Sequence, residues 1–289
     1  MTLLDSHPEL SAEQARLLAL WLPDARIRHD HSWDLGARSV LEVATAEGVF
    51  IVKAGRADDH HIGREITAHE QWLATWTSRG RAPELVHADR NARLLVTTYL
   101  AGELVLDSPA QHDPDTYGQA GELLSLLHGQ TSIVDPDHET HSNARATAWL
   151  DGDHRIAPEL VEQLRAELAS WPEPPSVLVP THGDWQPRNW LMHRGVVSII
   201  DFGRAAMRPA VTDFARLAAQ DFARDPQLET AFLQGYGSDP REPTAWHRTR
   251  IREAIATAAW SYQVGDQAFE AQGHRMIAEA LGRTTPKSV

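Results

Sequence analysis

Three polar residues lie close together around a short apolar stretch of this sequence. Asp184 sits in Thr181-His182-Gly183-Asp184-Trp185-Gln186-Pro187-Arg188-Asn189, and Asp201 opens Asp201-Phe202-Gly203 directly after Val196-Val197-Ser198-Ile199-Ile200. A carboxylate before a hairpin, an amide five residues later and a second carboxylate just after the hairpin can converge on one edge of a cavity. Asp184 can accept the proton of a hydroxyl nucleophile, while Asn189 and Asp201 offer hard oxygen ligands to Mg²⁺. Those are the demands of phosphoryl transfer: orient a hydroxyl, hold Mg²⁺ on phosphate oxygens and neutralise the developing charge. Taken singly, each residue would serve as an ordinary turn or cap. The set fits that reading poorly, because Asp201 emerges from a largely apolar strand, where a carboxylate more often belongs to a site.

The elements that must position these residues follow from periodicity. Trp190-Leu191-Met192 and Val196 to Ile200 read as two short strands around His193-Arg194-Gly195. Upstream, 40–45 and 49–53 are β-branched runs joined by Ala46-Glu47-Gly48, a second hairpin. Alternation along a strand puts Val49, Ile51 and Lys53 on one face and Phe50 and Val52 on the other, so Lys53 ends an apolar face. Helical spacing predicts a packing helix over 11–22, stopped by Pro23, and another over 63–76 with Glu65 near its start. A strand over 93–99 leads to Gly102, where the chain can change direction. Beyond it, 117–128, 160–171, 212–222 and 250–262 read as amphipathic helices. A rigid connector spans 171–175, and 283–289 reads as a frayed tail.

The chain has 289 residues, enough for two lobes, with 27 Lys plus Arg against 40 Asp plus Glu. The net charge of -13 argues against nucleic acid and anionic membrane as main partners and weakly suits a cationic substrate, though solubility is the weightier explanation. Without cysteine there is no disulfide framework, thiolate zinc site or cysteine nucleophile. The first twenty residues lack a basic start and apolar core, and no run approaches a membrane span, so a soluble, cytoplasmic protein is expected.

From 40 to 217 the sequence resembles the aminoglycoside phosphotransferase and choline kinase-like enzymes, relatives of the protein kinases. The resemblance rests on His182-Gly183-Asp184 through Asn189, on Ile200-Asp201-Phe202-Gly203 and on Asp213-Phe214-Ala215. It implies an α+β, bilobal protein-kinase-like fold with a small β-rich N-lobe (1–100) and a larger, mainly helical C-lobe (101–289). Asp184 would be the catalytic base, and Asn189 and Asp201 the ligands of Mg²⁺, with ATP or GTP as co-substrate. His182 and Asp213 would support the catalytic loop. Lys53 looks like the strand lysine that reaches the nucleotide phosphates, and Glu65 like its helix partner. A carboxylate partner makes physical sense for an ammonium on an apolar face, and Glu70 on the same predicted helix competes for that place. Ile51 would contribute to the adenine ceiling and the backbone of Thr98, Tyr99 and Leu100 would be the hinge that hydrogen-bonds the base. The loop 31–39 departs from pattern: it holds one glycine, with Ser32, Arg38 and Ser39 as candidate aids to phosphate binding.

Three other functions compete. A metal-dependent hydrolase is suggested by 16 histidines, but no His-Glu-x-x-His spacing occurs and an Asp/Asn/Asp oxygen set suits Mg²⁺ better than Zn²⁺. A catalytically silent kinase fold is disfavoured by the presence of Lys53, Asp184, Asn189 and Asp201 together. A protein kinase is disfavoured because no Ala-Pro-Glu element follows Asp201-Phe202-Gly203. The expected acceptor is a small hydroxylated molecule, an antibiotic by preference or an amino alcohol such as choline, handled by a monomer or homodimer. Trp185 reads as core that can also wall the acceptor pocket, and acidic residues such as Asp151, Asp221 and Asp266 can neutralise acceptor amines.

Overall fold

A computed structural model of the chain describes Leu4, residues 7–32 and residues 38–282. In chain order its elements are α1 (Ala12–Trp21), β1 (Arg26–Asp30), β2 (Arg38–Ala44), β3 (Val49–Gly55), α2 (His61–Gln71), α3 (Ala74–Thr77), β4 (Leu85–Asp89), β5 (Leu94–Thr98) and β6 (Glu103–Leu104). There follow α4 (Pro114–His128), β7 (Ile133–Asp135), α5 (His138–Asp151), α6 (Pro158–Ser170), β8 (Ser176–Thr181), β9 (Trp190–His193), β10 (Val196–Ile199) and β11 (Ala206–Arg208). The chain closes with α7 (Ala215–Ala219), α8 (Asp221–Arg224), α9 (Pro226–Tyr236), α10 (Pro243–Val264) and α11 (Gln267–Ala280). The class is α+β, with a β-sheet N-terminal region and a helical C-terminal part, as expected.

Contacts gather the chain into two compact units: Met1–Gln130 with Pro180–Ala206 and Gln227–Gly237, and Thr131–Val179 with Met207–Pro226 and Ser238–Val289. The first is built on a five-stranded antiparallel sheet of order β1-β2-β3-β5-β4. One face of this sheet, carrying Leu41, Val43, Val52, Ala54, Leu94 and Val96, packs on Leu17, Leu18 and Leu22 around α1. That helix begins in a capping box between Ser11 and Gln14, which satisfies its first orphan amides. The other face carries Leu95, buried against Ile62 and Ile66 of α2. Lys53 is in register with Leu95, so alternation places its side chain on the α2 face.

The two edge strands, β1 and β4, were not anticipated. Arg26-Ile27-Arg28-His29-Asp30 has no alternating apolar face to betray it and is largely exposed, and both strands slip register once, at Ile27/His29 and Leu85/His87. The helix expected over 63–76 is two helices. The chain bends at Trp72 and Leu73, both buried, and Trp76 on α3 sends its Nε1 to the carbonyl of Leu123 at 3.0 Å. The helix expected over 212–222 is likewise broken, into a 3-10 turn Ala210–Phe214, α7 and α8.

Within the first unit, β9 and β10 form the expected hairpin, extended by β6 in the order β10-β9-β6. The second unit centres on α10 and α11 with α5 and α6, packed through Leu150, Leu164, Leu168, Ile251, Ile255 and Ile277. Gly273 lets α11 approach α10, since a Cβ there would meet the Ala258 amide nitrogen at 2.5 Å. No helix among the described residues is long and apolar enough to cross a membrane.

Candidate active site

The two hairpins and α2 bring most of the singled-out residues into the first compact unit. Lys53, on the inner strand β3, places Nζ 2.7 Å from Glu65 Oε1 on α2 and 3.7 Å from Asp201 Oδ1. Glu65 is 2% exposed, whereas Glu70 lies on the surface and pairs with Arg90 at 2.6 Å, which decides between the two carboxylates. Burial works against the charge on Lys53, but the carboxylates of Glu65 and Asp201 outweigh it and hold the ammonium above the ordinary lysine range. Two carboxylates thus share one buried cation. Burial next to Lys53 also drops His69 to about 3, so that ring is a neutral packing group, edge-on to Phe202.

The segment from His182 to Asn189 is a web around one carboxylate. Gly183 takes φ +78°, a left-handed turn that suits glycine, and delivers Asp184 to a position that is 3% exposed. Gln186 Nε2 donates to Asp184 Oδ1 at 2.6 Å, Arg188 Nη2 to Oδ2 at 2.6 Å and Asn189 Nδ2 to Oδ2 at 3.0 Å. Asn189 Nδ2 donates as well to the Asp184 backbone carbonyl at 2.8 Å. Arg188 is therefore a carboxylate-paired arginine. His182, fully buried, donates from Nε2 to the Ile200 carbonyl at 3.1 Å and accepts the Asp184 amide on Nδ1 at 3.2 Å. With both ring nitrogens engaged in the backbone, it ties the loop to the strand and is not disposed as an acid or base.

Ile200 is gripped from both sides, since its amide donates to the Asn189 carbonyl at 3.0 Å. The next residue, Asp201, adopts φ +63°, a strained conformation for a non-glycine residue. It turns the carboxylate outward with 42% of its side-chain surface exposed, while Gly203 donates its amide to Oδ1 at 3.4 Å. Burial raises the Asp201 pKa, but Lys53 and Arg38 overcome this and hold it below the usual carboxylate range. Among the described residues no group of three or more His, Cys, Asp or Glu side chains forms a metal cage. The donor set nevertheless fits Mg²⁺ held jointly with phosphate: Asn189 spends its nitrogen on Asp184, so the amide oxygen is its remaining metal-binding atom, and Asp201 adds an exposed ionised carboxylate.

The other anticipated residues are placed as follows. Ile51 is half-buried on the Lys53 face of β3. Ser32 accepts the Val40 amide on its hydroxyl at 2.9 Å, and Ser39 donates to Glu9 at 2.8 Å, so both hydroxyls serve the base of the loop. Residues 33–37 of that loop, like the tail 283–289, lie outside the described residues. Thr98 and Tyr99 spend their amides on the carbonyls of Glu84 (2.9 Å) and Val49 (3.2 Å). Leu100, half-buried, follows β5. Asp213 is buried in the second unit, in the 3-10 turn Ala210–Phe214. Trp185, 1% exposed among Trp76, His182 and Trp190, is a core residue and no wall of an open pocket. Asp151 pairs with Arg165, Asp221 with Arg224, and Asp266 caps α11 through the Phe269 amide. Gln186, Asp59 and His61 were not anticipated, and Arg38 only as an aid to phosphate binding. A cavity of about 620 Å³ lies against α1 and contains none of Lys53, Glu65, Asp184, Asn189 and Asp201 in its lining.

A model of the phosphotransferase enzyme family matches residues 32–252. Among solved structures, a thermostable mutant of the aminoglycoside phosphotransferase APH(4)-Ia, in complex with ADP and hygromycin B, superposes with TM-score 0.67 at 13% identity, covering 92% of this chain and 97% of that one. A choline/ethanolamine kinase family protein from Mesorhizobium loti gives 0.64 at 19% identity, covering 96% of each chain. The macrolide 2'-phosphotransferase MphH from Brachybacterium faecium gives 0.58 at 15%, covering 91% of this chain and 95% of that one. No curated protein matches the chain in sequence.

Proposed function

The chain belongs to the phosphotransferase enzyme family, and from that premise we propose that it moves the γ-phosphoryl group of ATP or GTP to a hydroxyl of a small molecule, with antibiotic inactivation as its role. One observation carries this reading: the Lys53–Glu65–Asp201 charge cluster and the hydrogen-bonded Asp184 belong to the same compact unit, tied through Ile200. The fold's division of labour would fall near residue 100, with nucleotide on 1–100 and acceptor on 101–289, although contacts group 101–130, 180–206 and 227–237 with the first part. A cytoplasmic monomer or homodimer, without nucleic-acid or membrane partners, suits the acidic chain.

In this mechanism Asp184 takes the acceptor hydroxyl proton as the oxygen attacks the γ-phosphorus in line with the leaving nucleotide oxygen. Gln186, Arg188 and Asn189 fix the carboxylate so that no reorientation is needed at that moment. Lys53, anchored by Glu65, holds the α- and β-phosphates. Asn189 and Asp201 would hold Mg²⁺, which when bound neutralises the phosphate oxygens. Ile51 would cover the base and the strand end Thr98 to Leu100 would bind its edge, while Ser32 would assist phosphate binding and His182 would support the catalytic loop.

The test is a nucleotide-consumption screen of the purified protein against hydroxylated antibiotics (aminoglycoside, macrolide, nucleoside and peptide types) and amino alcohols. Acceptor-dependent turnover with an antibiotic supports the reading. Turnover with choline or ethanolamine alone would replace the antibiotic role by a metabolite kinase, and tightly bound zinc with no nucleotide use would revive a hydrolase.

A further inference from the structure

Arg38 opens β2 directly after the loop 31–37, whose one glycine is Gly36. Nε of Arg38 is 3.2 Å from Asp59 Oδ2, and Nη1 reaches the metal-binding turn, where a Cβ on Gly203 would stand only 3.0 Å from it. Asp59, 3% exposed at its side chain, is itself immobilised: its other oxygen accepts the amides of His61 at 2.8 Å and Ile62 at 2.9 Å and so caps α2. The same helix turn contacts Gly203 directly, with His61 Nδ1 donating to the Gly203 carbonyl at 2.9 Å. Arg38 is therefore fixed along its Nε edge, while its Nη edge lies beside Asp201-Phe202-Gly203 with 27% of the side chain exposed.

The charge arithmetic makes that placement meaningful. Lys53 is one cation flanked by two carboxylates, Glu65 and Asp201, so a triphosphate calls for positive charge beyond it. A glycine-rich loop would make up the difference with backbone amides, but this loop holds a single glycine. A guanidinium held by a carboxylate on one edge presents its other nitrogens as a rigid fork matched to phosphate oxygens.

The geometry points to Arg38 as a second phosphate-binding cation of the nucleotide site, positioned by Asp59 and directed at the terminal phosphates next to Gly203. The inference rests on the phosphotransferase reading and singles out Arg38 from the candidate residues of the loop through its anchoring by Asp59 and its place beside Gly203. Binding, not turnover, tests it: calorimetric titration with the preferred of ATP and GTP, with its diphosphate and with its nucleoside, each with Mg²⁺, into wild type and Arg38→Gln. Arg38→Gln keeps an amide for Asp59 but removes the charge. It is expected to weaken the triphosphate about tenfold to a hundredfold, the diphosphate less, and the nucleoside less than about twofold. Arg38→Lys, which keeps charge without the fork, is expected to fall between. Should Arg38→Gln not fold, Arg38→Met makes the same comparison. Equal weakening of all three ligands, or none, overturns the inference while wild-type binding leaves the phosphotransferase reading standing. Failure of wild type to bind either triphosphate overturns both.

Discussion

Asn189 donates its side-chain nitrogen twice to Asp184, at 2.8 Å to the backbone carbonyl and at 3.0 Å to the carboxylate. The residue proposed as a metal ligand is thus also a strut of the proposed base. A pure ligand would tolerate Asn189→Asp, which keeps an oxygen donor. A strut would not, because a second carboxylate would face Asp184 Oδ2 where an N–H now donates. Turnover of Asn189→Asp should fall by about a hundredfold, as far as that of Asn189→Ala. Steady-state kinetics of the two variants check this, and near-normal turnover in Asn189→Asp contradicts it.

Glu65 and Glu70 share α2 but not a role. Removing the charge of Glu65 leaves Lys53 with Asp201 alone and frees it to move, so Glu65→Gln should raise the nucleotide KM about tenfold. Glu70→Gln breaks only an exposed pair with Arg90 and should leave KM and melting temperature unchanged. Equal effects of the two substitutions would contradict the assignment.

The second unit has its own ionic centre, and it makes folding sensitive to acid. Glu139, 8% exposed, accepts from Arg252 at 2.7 Å and Arg248 at 3.3 Å, with both guanidiniums close to the Trp171 ring. Burial alone would raise its pKa, but the two arginines prevail and hold it below the usual carboxylate range. The unfolded chain therefore binds a proton at a higher pH than the native one. This contribution is fully present above about pH 5 and is lost as pH falls through the native pKa. Glu139→Gln should lower stability near neutrality by about 3 kcal/mol and flatten the acid limb of a melting-temperature profile. An unchanged acid limb in the variant would contradict this.

Close backbone packing between α4 and α9 predicts a purely structural lesion. A Cβ on Gly235 would run into the carbonyl oxygen of Gly118, and one on Gly121 into that of Phe232. Neither obstacle is a side chain that can swing aside. Gly235→Ala should destabilise the fold by about 2–3 kcal/mol, read as a lower midpoint in urea. A midpoint within error of wild type would show that the helices separate freely.

How much of this was legible in the sequence depended on the range of the signal. Asp184, Asn189 and Asp201 stood out because their spacing and the apolar strand before Asp201 lie within one short segment. The hairpin of β2 and β3 and the face shared by Ile51 and Lys53 followed from alternation. Choosing Glu65 over Glu70 required the sheet register that seats Lys53 opposite Leu95 under α2. The strand β1 was hidden because Arg26-Ile27-Arg28-His29-Asp30 buries almost nothing, and α5 because it buries polar Glu139 and Asn143 beside Ala146 and Leu150. Arg38 could be named from its place in the loop as an aid to phosphate binding, but Asp59 and His61, which hold it and Gly203, act through partners far along the chain, and no local pattern marks them.

The most direct measurement of the central claim is transfer of labelled γ-phosphate to a hydroxylated acceptor by wild type and by Asp184→Asn, with nucleotide affinity determined on both. Asp184→Asn preserves the shape of the side chain but removes its capacity as a base, so transfer should fall by about a thousandfold or more while the nucleotide binds almost as tightly. Wild-type-like transfer by Asp184→Asn, or no transfer to any acceptor by a wild type that binds nucleotide, would contradict the account.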